Sequence, residues 1–246
     1  MSAGAEPVSH DQGTVDYFDE HLIDYGVARL EFAARAIDSR KHDGASVVDL
    51  GCGTGNTLAH VREVTGLTDL VGIDVGERLL EKTRERVGCE TVLGSILSPE
   101  LAARYTERFD FAVVAAVLHH LIGRTRRESK AFAGQAVENA LTMLKPGGHL
   151  VVVEPIFYPS IAMDALFYVK KTVTRLTSDR VKILGRWDNN IGAPVVSYMT
   201  NEELFELVRA GGRAEIVDSE VEPESLSRGV DLVLRKTNTT VVARKQ

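Results

Sequence analysis

Three glycines spaced G-x-G-x-G (Gly51, Gly53 and Gly55) interrupt the chain between an apolar run, Val47-Val48-Asp49-Leu50, and a helical pattern that resumes at Thr57. A short run of valine and leucine reads as a buried strand. Glycine admits positive φ and a close backbone approach, so the turn is able to wrap a ligand against main-chain N–H groups. Asp49 adds an acid two positions before the first glycine. A strand, a glycine turn and a helix in that order restrict the chain to a narrow set of folds.

The rest of the pattern narrows it further. Strands are expected at 46–50, 70–74, 90–93, 109–115 and 150–153. Helices are expected between them at 57–65, at 77–87, from Ser98-Pro99-Glu100, where a cap residue precedes a proline, and at about 126–144. Lys145-Pro146-Gly147-Gly148 stops the last of these. A helical stretch at 15–37, divided at Gly26, comes before the first strand. This rhythm implies an α/β fold, doubly wound and Rossmann-like, with a mostly parallel sheet, right-handed crossovers and an antiparallel C-terminal strand. Residues 155–199 break the rhythm with an apolar helical run and a polar loop. Thr200-Asn201-Glu202-Glu203 reads as a capping box opening another helix, which Gly211-Gly212 stops. Final strands are expected at 214–221, 232–235 and 240–243, the last two forming a hairpin that turns near Asn238. The domain plan is a flexible arm at 1–13 and a single domain at 14–246, with 155–199 as an insertion.

The 246 residues are 44% hydrophobic, enough for one sizeable core, and carry a net charge of −6, which argues against a nucleic-acid partner. Cys52 and Cys89 are too few for a disulfide framework or a metal site and read as small core residues in a reducing compartment. The N-terminus lacks the features of a signal peptide, and no apolar run is long enough to span a bilayer. The expected setting is cytoplasmic, and the oligomeric state is not written in the chain.

The glycine loop, with Leu70-Val71-Gly72-Ile73-Asp74 about 20 residues further on, resembles the cofactor motifs of class I S-adenosylmethionine (SAM)-dependent methyltransferases. The segment from Phe109 to Leu121, with its His119-His120 pair, and the Lys145-Pro146-Gly147-Gly148 landmark resemble the small-molecule type found in ubiquinone and menaquinone biosynthesis. The resemblance covers residues 15 to 155. It implies SAM as cofactor, S-adenosylhomocysteine (SAH) as product, and no metal. It assigns Asp49, Gly51, Cys52, Gly53 and Gly55 to the loop around the methionine part, Asp74 to the ribose and Val75 to the adenine face. Ser95 and Ile96 fall where the family contacts the adenine amino group. Ser95 departs from the family's usual Asp. Ala115 ends the strand that borders the cofactor, and Tyr17 lies in a segment that closes over the pocket. A dinucleotide fingerprint, G-x-G-x-x-G, would need its third glycine at Asn56.

Methyl transfer from a sulfonium asks mainly for alignment and exclusion of water, with a base only where the acceptor must lose a proton. His119 and His120 are candidate bases, since imidazole titrates near neutral pH. The alternative is that they cap and pack. Glu154, at the end of strand five, is a third catalytic candidate, with structural pairing as its alternative. Tyr25, Tyr158 and Trp187 are candidate substrate contacts, with core packing as the alternative for Tyr25 and for Tyr17. The insertion mixes apolar residues with Lys170, Lys171, Arg175, Arg180, Lys182 and Arg186. It reads either as a cover for a hydrophobic or anionic metabolite, with transient membrane contact, or as a core helix with a solvated face. A second basic cluster, Arg124, Arg126, Arg127 and Lys130, answers either an anion or acidic neighbours. The expected function is methyl transfer to oxygen, nitrogen or carbon of a small molecule. The alternatives are a protein of this fold that catalyses a non-methylating step, or a non-catalytic SAM-binding subunit.

Overall fold

The computed structural model describes residues 26–159, 165, 167–169, 195–224 and 235–246. Tyr17, Tyr25, Trp187, the 1–13 arm and most of the 155–199 insertion lie outside these residues. Seven strands form one sheet: β1 Ser46–Leu50, β2 Asp69–Asp74, β3 Glu90–Leu93, β4 Phe109–Ala115, β5 Leu144–Tyr158, β6 Ala214–Glu224 and β7 Arg235–Lys245. Their order is β3-β2-β1-β4-β5-β7-β6. β1 pairs in parallel with both β2 and β4, so the chain reverses its winding direction at β1. In sheets of this kind, ligands bind at the carboxyl ends of the strands beside that switch point. β7 alone runs against its neighbours.

Both faces of the sheet are covered by helices: α1 Glu31–Asp38, α2 Asn56–Thr65, α3 Glu77–Val87, α4 Pro99–Arg104, α5 Arg126–Met143 and α6 Asn201–Arg209. Every residue of β1 is buried, as a parallel strand covered on two sides requires. Side chains alternate along it. Val48 and Leu50 join the apolar cluster under α5 and α6, while Val47 joins the cluster under α1 and α2.

Local signals set the helix ends. Ser98 Oγ accepts from Leu101 N at the start of α4, and Thr125 Oγ1 accepts from Glu128 N at the start of α5. Thr200 and Glu203 complete the expected capping box of α6. The helical pattern that precedes β1 resolves, from Gly26 on, into a 3-10 turn at Val27–Leu30 followed by α1.

Two expectations fail at the C-terminal side. There is no hairpin at Asn238: β7 passes straight through it, paired with Pro155 of β5 on one side and Glu222 of β6 on the other. The polar run Asn238-Thr239-Thr240 is buried because tertiary partners satisfy it. Asn238 Nδ2 donates to Arg29 O at 3.1 Å, and Thr239 Oγ1 donates to Asn201 Oδ1 at 2.8 Å. β5 also runs well beyond the expected 150–153, because β7 pairs with it as far as Tyr158.

Candidate functional site

The loop after β1 is held from beneath and open at one point. Gly51 N and Cys52 N both donate to Ile73 O, at 2.8 and 3.0 Å, which ties the loop to the end of β2. Gly51 has φ +80, and a Cβ there would overlap Val117 Cγ2 in the turn after β4. Gly55 has φ +83, and its Cβ would lie 3.0 Å from the backbone of Thr83 in α3. At these two positions only glycine fits without strain. A Cβ on Gly53 would meet nothing within 4 Å, so that residue presents bare backbone to open space. Thr83 Oγ1 holds Gly53 O at 2.8 Å from below. Cys52 packs its side chain into the cluster under α1 and α2, where burial first, and then the charges of Asp49 and Asp74, keep its thiol well above the usual range.

Two carboxylates flank the loop and are treated very differently. Asp74 Oδ2 accepts from Gly53 N at 2.9 Å and Oδ1 from Gly76 N at 3.0 Å, which locks the orientation of the carboxylate. The bond to Gly76, the N-terminal cap of α3, gives Asp74 a part in fixing the start of that helix. Asp49 is fully buried, and neither of its oxygens has a hydrogen-bond partner. Burial, reinforced by the charge of Asp74, pushes its pKa up to about 8. An orphaned buried acid beside an open glycine backbone fits a ligand carrying positive charge.

The loop after β3 lies alongside, since Gly94 N donates to Asp74 O at 2.9 Å. Ser95 Oγ accepts from Leu97 N at 3.0 Å, so the hydroxyl that replaces the expected acid shapes the turn. The Ile96 side chain is buried in the cluster under α5, and its carbonyl accepts from Asn139 Nδ2 at 2.7 Å. Val75, next to Asp74, is half-buried. Asn139 was not singled out from sequence. Its signal is an amide on the buried face of α5, which needs a partner and finds it in this loop.

Beyond β4 the chain turns sharply. Ala115 is the last residue of the strand, and Ala116 adopts φ +57 while its N–H donates to Val153 O at 2.7 Å. Glu154 lies beneath the turn, wholly buried. Its Oε1 accepts from Val117 N at 2.9 Å and Leu118 N at 2.7 Å, and its Oε2 lies 2.7 Å from His119 Nδ1. Glu154 therefore contacts the histidine and the turn from inside the protein. The His119 and His120 rings are 4.0 Å apart, centroid to centroid.

Tyr198, also missed in the sequence reading, stacks on His119 at 5.2 Å and meets Phe157 at 4.3 Å. The two ends of the 155–199 segment thus converge beside His119. Tyr158, expected at the substrate, is half-buried against the apolar cluster under α5. Three of the four basic residues at the start of α5 have protein partners: Arg124 pairs with Glu128, Lys130 with Glu203, and Arg126 donates to Ser197 Oγ and Tyr198 O. Among the described residues no group of side chains could hold a metal ion, and no helix is long and apolar enough to cross a membrane.

The reversal at β1, the glycine turn and the acid at the end of β2 define a Rossmann-like nucleotide-cofactor domain. A family model for the methyltransferase domain matches residues 48–150. The chain is 29% identical over 157 residues to a dTDP-3-amino-3,4,6-trideoxy-alpha-D-glucopyranose N,N-dimethyltransferase of Streptomyces venezuelae, covering 61% of each. It is 28% identical over 148 residues to a ubiquinone/menaquinone biosynthesis C-methyltransferase of Haemophilus ducreyi, covering 56% of this chain and 53% of the relative. The matched span is thus about half to three-fifths of the length of these curated relatives. In fold it is similar to the N-methyltransferase NodS from Bradyrhizobium japonicum, solved with SAH, at a TM-score of 0.58 and 17% identity over 95% of this chain and 98% of that one. Residues 48–150 thus match the methyltransferase-domain family, and the fold is similar to that of a solved SAM-dependent methyltransferase.

Proposed function

We propose that this protein transfers a methyl group from SAM to a small-molecule acceptor that has a proton to lose, a hydroxyl or an amine. The reading rests chiefly on Gly53, which has open space where a side chain would stand and is bonded to Asp74, in the loop that follows the unpartnered Asp49. Asp49 would face the positive charge of the methionine part, and Asp74 would accept the ribose hydroxyls. Val75 and the loop of Ser95 and Ile96 would border the adenine. When bound, SAM supplies an electrophilic methyl on sulfonium.

The protein's own contribution is then placement and proton handling. Glu154 holds the turn after Ala115 and orients the His119 ring. With Nδ1–H donating to Glu154, Nε2 of His119 is the basic nitrogen. It is suited to take the acceptor's proton as the methyl is delivered. His120 packs against that ring at a tilt of 43° and restrains it. Phe157 and Tyr198 form an aromatic wall beside it that favours a flat or apolar acceptor and excludes water.

Residues 14–246 are taken as one catalytic domain, with 155–199 covering the acceptor. Its two ends meeting beside His119 support this. The net charge of −6 and the protein partners of the basic cluster favour a metabolite over a nucleic acid, and a cytoplasmic setting suits such a substrate. The test is SAM consumption and SAH formation over a panel of phenols, sugar amines, aliphatic amines and carbon acids. Turnover confined to carbon acids would overturn the assignment of a hydroxyl or amine acceptor.

A further inference from the structure

Asp49 stands apart from every other buried acid of the described residues. Glu154 accepts two backbone N–H groups and borders a histidine. Asp74 accepts two backbone N–H groups. Asp49 is fully enclosed, with both oxygens unpartnered, and no cation forms an ion pair with it. The titratable groups that act on it or feel its charge are Asp74 at the end of β2, Cys52 in the loop and Cys89 beside β3. All three are acids or thiols. α1 and α2, which cover this side of the sheet, bring Ala33, Ile37 and Leu58 to the apolar cluster there. A bare carboxylate in such a place is costly, whereas a neutral carboxyl is tolerated. A ligand cation brought beside it reverses that preference.

We propose that cofactor binding is coupled to ionisation of Asp49: the empty protein holds a neutral carboxyl there, and arrival of the ligand's positive charge releases the proton to solvent. The O–H bond of the carboxyl breaks, its electron pair stays on the oxygen as carboxylate, and the proton passes to the buffer. The proposal rests on the reading of the 51–55 loop as the SAM site. It makes the glycine loop selective for a cationic ligand, because a neutral or anionic nucleoside gains no partner at Asp49 and displaces no proton. It also makes affinity pH-dependent, with the sign set by the raised pKa. Below about pH 8 the empty site is mostly protonated, so the apparent association constant climbs with pH, and above that it levels off. The climb is tenfold per pH unit at the limit of one proton released.

The experiment is calorimetric titration of the whole chain with SAM, SAH and adenosine between pH 5.5 and 7, below the range in which amino groups lose their protons. Each point is repeated in two buffers of different ionisation enthalpy. The expected result is release of close to one proton with SAM and with SAH, and none with adenosine, which lacks the amino-acid part. Release with SAM but not with SAH supports the proposal and assigns the partner to the sulfonium. Asp49→Asn, which imitates the neutral carboxyl, should bind more weakly and lose both the proton release and the steep rise of affinity with pH. Infrared difference spectra provide a reading independent of affinity: a protonated-carboxyl band present in the empty wild type should vanish on SAM addition and be missing from Asp49→Asn. Equal proton release by wild type and Asp49→Asn overturns the proposal alone. Failure of both SAM and SAH to bind overturns the cofactor reading and the proposal with it.

Discussion

Glu154 Oε2 lies 2.7 Å from His119 Nδ1, while the other oxygen of the same carboxylate accepts the N–H groups of Val117 and Leu118. One buried side chain on β5 thus sets both the path of the backbone after β4 and the orientation of the imidazole. Exchange of Glu154 for Gln separates these roles. The amide oxygen keeps the two backbone bonds, while the amide N–H₂ must face the imidazole, which turns Nδ1 into the acceptor and Nε2 into the donor. The variant should stay folded, with a stability loss of about 1 kcal/mol, and lose about 10²–10⁴-fold in kcat. Urea denaturation together with steady-state kinetics checks this. A variant with full kcat would make the histidine a packing residue.

Asp74→Ala removes the acceptor of the Gly53 and Gly76 N–H groups as well as the proposed acceptor of the ribose hydroxyls. SAM affinity should fall by about 1.5–3 kcal/mol, measured by calorimetry. Unchanged affinity would place the ribose elsewhere.

Gly51→Ala meets two obstacles: φ of +80 and Val117 Cγ2 in the space a Cβ needs. The left-handed backbone alone costs about 1–2 kcal/mol. Adding Val117→Ala should relieve the steric part and leave the backbone part. A double-mutant cycle on stability and on SAM affinity reads the coupling. Strict additivity would show that the two side chains do not meet.

Tyr198→Ala removes a ring that stacks on His119 and packs at a tilt against Phe157. Such contacts contribute about 0.5–1.5 kcal/mol each beyond burial. The expected outcome is a higher KM for the acceptor and an unchanged Kd for SAM, since the ring packs beside His119 and Phe157. Weakened SAM binding with an unaltered acceptor KM would move Tyr198 to the cofactor side.

Far from the site, at the opposite end of β4, Asp110 accepts from Ser46 N, Ser46 Oγ and Lys145 Nζ and borders His42 Nε2. Burial pushes its pKa up, but these bonds, Lys145 first, outweigh that and hold it well below the usual carboxylate range. A depressed folded pKa contributes stability above the unfolded value, about 4, that is lost as pH falls through the folded one. Wild type should therefore lose stability steeply below about pH 4. Asp110→Asn should be less stable by about 1–3 kcal/mol at pH 7 and show a shallower acid limb. Parallel acid limbs for the two proteins would show that the carboxylate's charge is not what these bonds favour.

Much of the molecule is encoded locally. The buried run of β1, the glycine turn and the acid ending β2 are contiguous signals, each needing only its own neighbours. The caps at Ser98, Thr125 and Thr200 are equally local, because a side chain there bonds a backbone N–H three residues on. Those features place the glycine loop without knowledge of the rest. The C-terminal strands did not follow local signals. Asn238-Thr239-Thr240 has the composition of a turn, yet lies in the middle of β7, because β5 and β6 supply ladder bonds on both sides and Arg29 and Asn201 accept or receive the side chains. Glu154, Asn139 and Tyr198 show the same limit. Each reaches its partner across a sequence gap, respectively to His119, Ile96 and Phe157. The charge state of Asp49 is tertiary as well: its sequence neighbours set a strand and a turn, but the enclosure by two helices and the nearness of Asp74 decide whether a proton stays on it. Sequence by itself determined the order of elements and the backbone of the loop. The tertiary structure decided which polar groups were left without partners, because burial depends on which distant segments close over a residue.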